Sequence, residues 1–231
     1  MYEIVKGPLL WISAIIFIAG FIYRIVRLYQ LTEKKDVASC PVTNPKNSPV
    51  KSMSEEEKKL EKIADLQNSV LGRHPVMTIV SSTFHFCLFL TPLFLMAHNI
   101  MFHNSFGIRL PSIPDGLADF MTIIVLGGGL FFLIRRIAIP KVAAISSGYD
   151  YVVLFITIMP YLTGFLAYHQ LFDYKTIITM HIFFGDLMLM ALPFTKVGHM
   201  VFFFFARLAM GGEFSLGRGN RIWTNATTTQ A

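Results

Sequence analysis

The chain is short of charge and almost without cysteine. Only 15% of its 231 residues are Asp, Glu, Lys or Arg, against 54% hydrophobic residues that include 22 Phe, and its mean hydropathy is +0.55. A soluble domain of this length does not carry that balance, so the composition points to an integral membrane protein. The two cysteines, Cys40 and Cys87, stand alone. No Cys-x-x-Cys-His occurs, which excludes covalent c-type haem attachment, and neither thiol can ligate an iron–sulfur cluster from this chain by itself. No internal repeat is detectable, and nothing in the chain suits a soluble substrate. Acidic residues are few as well, 14 against 20 Lys and Arg, which leaves a net charge of +6.

What is present is long apolar sequence. A helix crossing ~30 Å of hydrocarbon needs ~20 largely apolar residues, and five segments qualify: about 8–28, 77–102, 117–139, 150–169 and 176–206. These predict an all-α integral membrane fold, a five-transmembrane-helix bundle forming a single membrane domain. The first segment is led by Met1-Tyr-Glu-Ile-Val-Lys6, without a strongly basic leader, and runs into Arg24 and Arg27 with no small-residue cleavage site, so it reads as a retained helix. With the N-terminus outside, the inner side takes Arg24, Arg27, the long first connection, Arg135, Arg136, Lys141, Lys196, Arg207, Arg218 and Arg221. Lys6, Arg109 and Lys175 alone fall outside, so seventeen of the twenty basic residues are internal. That is the positive-inside pattern of a multi-pass protein of the cell inner membrane, C-terminus cytoplasmic, and it gives the charge a role unrelated to nucleic acid.

The breaks between spans have local causes. Residues 31–74 form a cytoplasmic loop in which Pro41 to Pro49 cannot be helical. Ser54 with Glu57 has capping-box spacing, and Leu60, Ile63, Ala64, Leu66 and Val70 follow at near-helical intervals. This predicts a short amphipathic helix, either a docking face for a soluble subunit or a helix on lipid headgroups. Pro75 suits the first turn of the second span, leaving His74 outside it beside Arg73. Phe106 to Gly116 is turn-rich, Pro140 closes the third span, and Pro160 and Pro193 predict kinks inside the fourth and fifth. Residues 207–231 form a cytoplasmic tail.

Four histidines, His85, His98, His181 and His199, lie within two of the apolar spans, where a strongly polar side chain needs a partner. Antiparallel helices place His85 level with His199 and His98 roughly level with His181, one facing pair per leaflet. Two b-type haems is the economical reading. His181 and His199 are eighteen residues apart, five whole turns, so on one helix they share a face ~27 Å apart. His85 and His98 are thirteen apart, ~140° out of phase on an ideal helix, which Pro92 must absorb. His103, eighteen after His85, is the in-phase alternative near the outer surface. Gly127, Gly128, Gly129 and Gly164 offer slim helix faces for a macrocycle, and small-residue helix packing explains them equally well.

The stretch Leu192-Pro-Phe-Thr-Lys-Val-Gly-His199-Met, with histidines on spans two and five, resembles the gamma subunit of respiratory nitrate reductase and its relatives. Pro92-Leu-Phe-Leu-Met-Ala-His98-Asn, Arg135-Arg136 and Thr163-Gly-Phe-Leu-Ala-Tyr-His169-Gln look closer still to the dihaem cytochrome b subunits of transmembrane electron-transfer complexes in sulfate-reducing bacteria. The resemblance implies His85 and His199 as inner haem ligands and His181 with a second-span histidine as outer ligands. In the nitrate reductase branch that last ligand stands ten residues after the first, where this chain has Leu95, so His98 takes its place. The resemblance further implies a membrane quinone, a cytoplasmic iron–sulfur subunit and a periplasmic multihaem cytochrome c as partners of an electron-transfer subunit. Bis-His ligation leaves no open position on the iron, so a lipid-soluble quinol is the natural reductant. His169, His103 and Asp186 are candidate quinone or proton residues, and Lys196, Arg135, Arg136 and Arg207 candidates for haem propionates. A haem-free anchor or assembly subunit and a His-relay proton transporter are the rival readings; neither accounts for four histidines at matched depths together with an absence of repeats.

Overall fold

The computed structural model describes residues 2–31, 54–56, 59–60, 63 and 70–199. The expected amphipathic helix lies largely outside these residues, and Cys40, Arg207 and the 207–231 tail wholly so. Among the described residues there is no strand. Among the described residues the helices longer than two turns are α1 (Leu10–Leu31), α2 (Pro75–Phe94), α3 (Met96–Phe106), α4 (Asp115–Ala138), α5 (Gly148–Tyr168) and α6 (Tyr174–Ala191). Among the described residues, four stretches are long and apolar enough to cross a membrane: Gly7–Gln30, Pro75–Phe94, Asp115–Ala138 and Gly148–Tyr168.

Each helix end has a chemical reason. Pro75 opens α2, where its missing N–H is no loss, with His74 just outside. Gly107, at φ 71°, ends α3 by donating its N–H to the His103 carbonyl, a left-handed conformation that suits glycine. Asp115 stands in the first turn of α4 and Arg135 and Arg136 in its last, each of the sign the helix dipole favours. Asp150 Oδ2 accepts from the N–H and hydroxyl of Ser147 at 2.9 and 3.0 Å, capping α5. Asp173 Oδ2 accepts from the N–H and hydroxyl of Thr176 at 2.9 and 2.6 Å, capping α6.

The chain divides into two units, Met1–Gly7 with Met53–Met188 and Pro8–Ser52 with Leu189–Ala231. In the first, α4 packs against both α2 and α5. Gly128 and Gly129 make this possible: a Cβ on Gly128 would lie 2.7 Å from Phe84 of α2, and one on Gly129 would collide with Ile158 of α5. Val125, at the same contact level, is fully buried. Helix packing, and not a macrocycle face, therefore occupies these two glycines. In the second unit, the turn after α6 seats on α1. Pro193 is fully buried against Gly20, where a Cβ would lie 2.7 Å from the proline ring, and Arg24 Nε donates to the Pro193 carbonyl at 2.9 Å.

Two spans differ from the expected ones. The 77–102 segment is two helices, broken at Leu95, whose φ −67° and ψ 131° are extended. The 176–206 segment is not one helix, because α6 stops at Ala191 and a turn leads to a 3₁₀ segment at Lys196–Gly198. Pro193 disfavours the helical region for Leu192 and brings no donor of its own, so the chain turns instead of kinking. His181 and His199 consequently do not share one continuous helix, and the five-turn relation between them does not hold. Span four, by contrast, runs unbroken through Pro160.

Candidate functional site

The break in span two is where the site is made. Pro92 has no N–H to give the Leu88 carbonyl four residues back. That carbonyl accepts instead from the hydroxyl of Tyr161, a buried residue of α5. Three residues later the extended Leu95 interrupts the helical ladder, and the exposed end of α2 is closed by the loop that follows α3. Ile113 N–H donates to the Phe94 carbonyl at 3.0 Å, while Asn99 Nδ2 donates to the Pro111 carbonyl at 3.2 Å and to Ser112 Oγ at 2.9 Å.

This turn of the chain brings His98 to His181. Their ring centres are 5.9 Å apart and their planes lie within 19° of parallel. His98 Nδ1 donates to the Pro92 carbonyl at 2.9 Å, and His181 Nδ1 to the Pro160 carbonyl at 2.9 Å. A carbonyl only accepts, so Nδ1 carries the proton in both rings and Nε2 carries the lone pair. That is the tautomer a metal bound through Nε2 requires, with the other ring nitrogen oriented by a backbone acceptor. Two imidazoles on opposite sides of one metal, each bonded at ~2 Å, hold their ring centres ~6 Å apart. The ring-centre spacing and the tautomer of both rings meet these two requirements of a centrally ligated metal macrocycle. Among the described residues no group of three or more His, Cys, Asp or Glu gathers round a point, so two imidazoles would serve a metal whose remaining ligands come with it, as in a porphyrin.

Gly164 has a different part from the one its position suggests. A Cβ there would lie 3.0 Å from His181 Cε1 and 3.1 Å from Nδ1, so the missing side chain admits the His181 imidazole to the Pro160 carbonyl. Gly127, in contrast, would meet nothing within 4 Å.

His85, half-buried on α2, donates Nδ1–H to the Ser81 carbonyl at 2.6 Å and packs edge-on to Phe84 with centres 5.3 Å apart. His199 Nδ1 donates to the Lys196 carbonyl at the end of the 3₁₀ segment. Both thus adopt the same tautomer as the facing pair, each within its own unit. His103 is exposed on α3 and is not brought to His98 and His181. His169 ends α5, with Nε2 3.0 Å from Asp119 Oδ1 and its ring 4.3 Å from that of Phe165. Asp186 is fully buried on α6. Of the cations, Arg136 lies 3.9 Å from the α5-capping Asp150, Arg135 lines a groove between the start of α2 and the end of α4, and Lys196 is exposed.

Tyr161 and Asp119 escape a reading of the sequence, though each leaves a trace. A tyrosine inside an apolar span must find an acceptor for its hydroxyl, and Pro92 creates one at Leu88. Asp119 is an acid one turn inside an apolar helix, hence in need of a partner.

No known family profile and no solved structure matches the chain. It is 31% identical over 227 residues, 95% of its length and 96% of the relative's, to a protein of Nitratidesulfovibrio vulgaris (strain Hildenborough) described simply as a protein. The chain belongs to the family of that protein.

Proposed function

We propose that this chain is a membrane dihaem cytochrome b subunit of a respiratory electron-transfer complex in the cell inner membrane. The observation that carries this reading is the His98–His181 pair, near-parallel at 5.9 Å and anchored through Nδ1 on both sides. A haem iron held by two imidazoles supplies one-electron transfer with no open coordination position. His98 and His181 would hold the outer group, and His85 with His199 the inner one, N-terminus outside and C-terminus cytoplasmic.

A proton relay through the same histidines would need each ring to pass a proton between its two nitrogens. Fixing Nδ1–H on a carbonyl, which has no proton to return, supports ligation over relay. Around the outer pair the chain's own residues have proton work to do, because quinol oxidation releases protons as well as electrons. Asp119 accepts the Nε2–H of His169 and so orients the ring, which makes His169 a candidate for contact with a quinol. His103 and Asp186 remain further candidates for quinone or proton contact, and Arg135, Arg136 and Lys196 for haem propionates. Menaquinone or another quinone, a cytoplasmic iron–sulfur subunit and a periplasmic multihaem cytochrome c are the proposed partners.

The test is the reduced-minus-oxidised absorption spectrum of the protein purified in detergent, with haem counted per chain. About two b-type haems per chain is the expected result. A protein without haem, from cells that load other b-type cytochromes, overturns the reading and leaves the anchor or transporter.

A further inference from the structure

The carbonyl that anchors His181 serves more than one donor. Pro160 lies inside α5, which runs unbroken past it, so its carbonyl faces the Gly164 N–H in the ordinary helical ladder. It also accepts from His181 Nδ1 at 2.9 Å. Thr163 adds a third contact, because its buried hydroxyl lies 2.7 Å from the Met159 carbonyl and 3.2 Å from the Pro160 carbonyl. A hydroxyl has one proton, here divided between two acceptors. A carbonyl oxygen has two lone pairs, here approached by three donors.

The facing ring is held differently. His98 Nδ1 donates to the Pro92 carbonyl at 2.9 Å, and the extended Leu95 separates that carbonyl from Met96, whose N–H would reach it in a continuous helix. The two imidazoles therefore match in tautomer but not in the acceptor behind them. A hydroxyl drawing on the Pro160 carbonyl leaves less electron density for the His181 Nδ1–H, and burial magnifies the effect. A weaker bond at Nδ1 makes the imidazole a poorer electron donor at Nε2. Hydrogen bonding to an axial ligand is one of the levers on a haem potential, and a poorer donor favours the reduced iron.

We propose that Thr163 is a positioning residue for His181, one that weakens the Nδ1–H bond to Pro160 and thereby raises the potential of the outer haem. This rests on the dihaem reading. A raised potential suits the centre that takes electrons from a membrane reductant. The hydroxyl is dispensable to the helix itself: without it the Met159 carbonyl still faces the N–H of residue 163, so Thr163→Val orphans no backbone acceptor.

Spectroelectrochemical titration of the full chain in detergent tests this, with the outer haem identified by the component lost in His181→Ala. Thr157, buried six residues earlier on α5 and bonded to the Val153 carbonyl at 2.8 Å, supplies the control. The expected result is two haems retained in every threonine variant and a lower outer potential in Thr163→Val. Thr163→Ser should return it to the wild-type value, and Thr157→Val should leave it there. An unchanged outer potential in Thr163→Val overturns the proposal, as does a shift that serine fails to reverse or that Thr157→Val reproduces. Loss of a haem from Thr163→Val also overturns it, since the hydroxyl is then a structural support. If the wild type holds no haem, the dihaem reading and the effect on potential fall together. The His181 Nδ1–H proton resonance then tests the shared carbonyl by itself: a downfield move in Thr163→Val, reversed in Thr163→Ser, keeps that coupling, and a fixed resonance removes it too.

Discussion

The hydroxyl of Tyr161 donates to the backbone carbonyl of Leu88, the carbonyl that Pro92 leaves without its helical donor. One residue before it, Pro160 accepts the Nδ1–H of His181. Two consecutive residues of α5 therefore register both halves of the histidine pair, one through the break that turns His98 and the other by direct contact. Tyr161→Phe removes the donor and leaves a buried carbonyl unsatisfied, a loss of about 1–3 kcal/mol in thermal or denaturant unfolding. Adding Pro92→Ala returns an N–H to Leu88 and should restore stability. It also favours a continuous helix that carries His98 away from His181, so haem per chain should fall even as stability recovers. A double variant that keeps both haems contradicts this role for the break.

Gly164→Ala places a methyl 3.0 Å from the His181 ring, so the imidazole must shift or lose the Pro160 carbonyl. The expected outcome is loss of the outer haem, or a changed midpoint potential for it, with little change in the inner one. Gly127→Ala meets nothing within 4 Å and should leave both haems in place while gaining up to about 1 kcal/mol in helix propensity. A potentiometric titration of the two variants side by side decides the matter.

How much of this was legible beforehand varies by position. Pro75 as a first-turn residue, the turn chemistry around Gly107, and the first, third and fourth apolar spans follow from local chemistry that tertiary contacts do not override. The thirteen-residue spacing of His85 and His98 also showed that an ideal helix could not serve both. Where the chain would yield was not legible, because Leu95 is an ordinary residue whose extended backbone is stabilised by Pro111–Ile113, a distant part of the sequence. The end of α6 was misread for a similar reason. A proline inside an apolar run signals a kink or a stop equally, and Pro193 stops the helix where Gly20, far away in sequence, leaves a seat for its ring. The glycines of α4 and α5 were ambiguous for want of their neighbours: Phe84 and Ile158 fill two of them, and His181 a third.

Gly20 is the point on which that seat depends. Gly20→Leu forces the Pro193 ring from its place and with it the carbonyl that Arg24 holds. Overpacking of this kind destabilises by roughly 1–3 kcal/mol. The expected readout is earlier proteolysis around 192–195 in the purified protein, with no such change for Gly7→Ala, where a Cβ meets nothing within 4 Å.

Asp173 links α6 to pH. The Thr176 hydroxyl, then its N–H, holds the Asp173 carboxyl below its ordinary value, with Lys175 contributing less. A depressed folded-state value means that the cap contributes fully above the unfolded value of ~3.9 and is lost as pH falls through the lower folded one. Hydrogen exchange at the Thr176 amide should therefore stay slow down to pH ~4 relative to its intrinsic rate and lose protection below that. In Asp173→Ala it should be fast throughout. Protection that persists unchanged in the alanine variant contradicts the cap.

Ligation by His98 and His181 as one pair is central to the proposed dihaem cytochrome, and haem per chain in single histidine variants tests it most directly. His98→Ala and His181→Ala should each lower the count from about two to about one, with the same spectral component missing, while His103→Ala keeps both. Loss of a haem in His103→Ala with both retained in His98→Ala would contradict it.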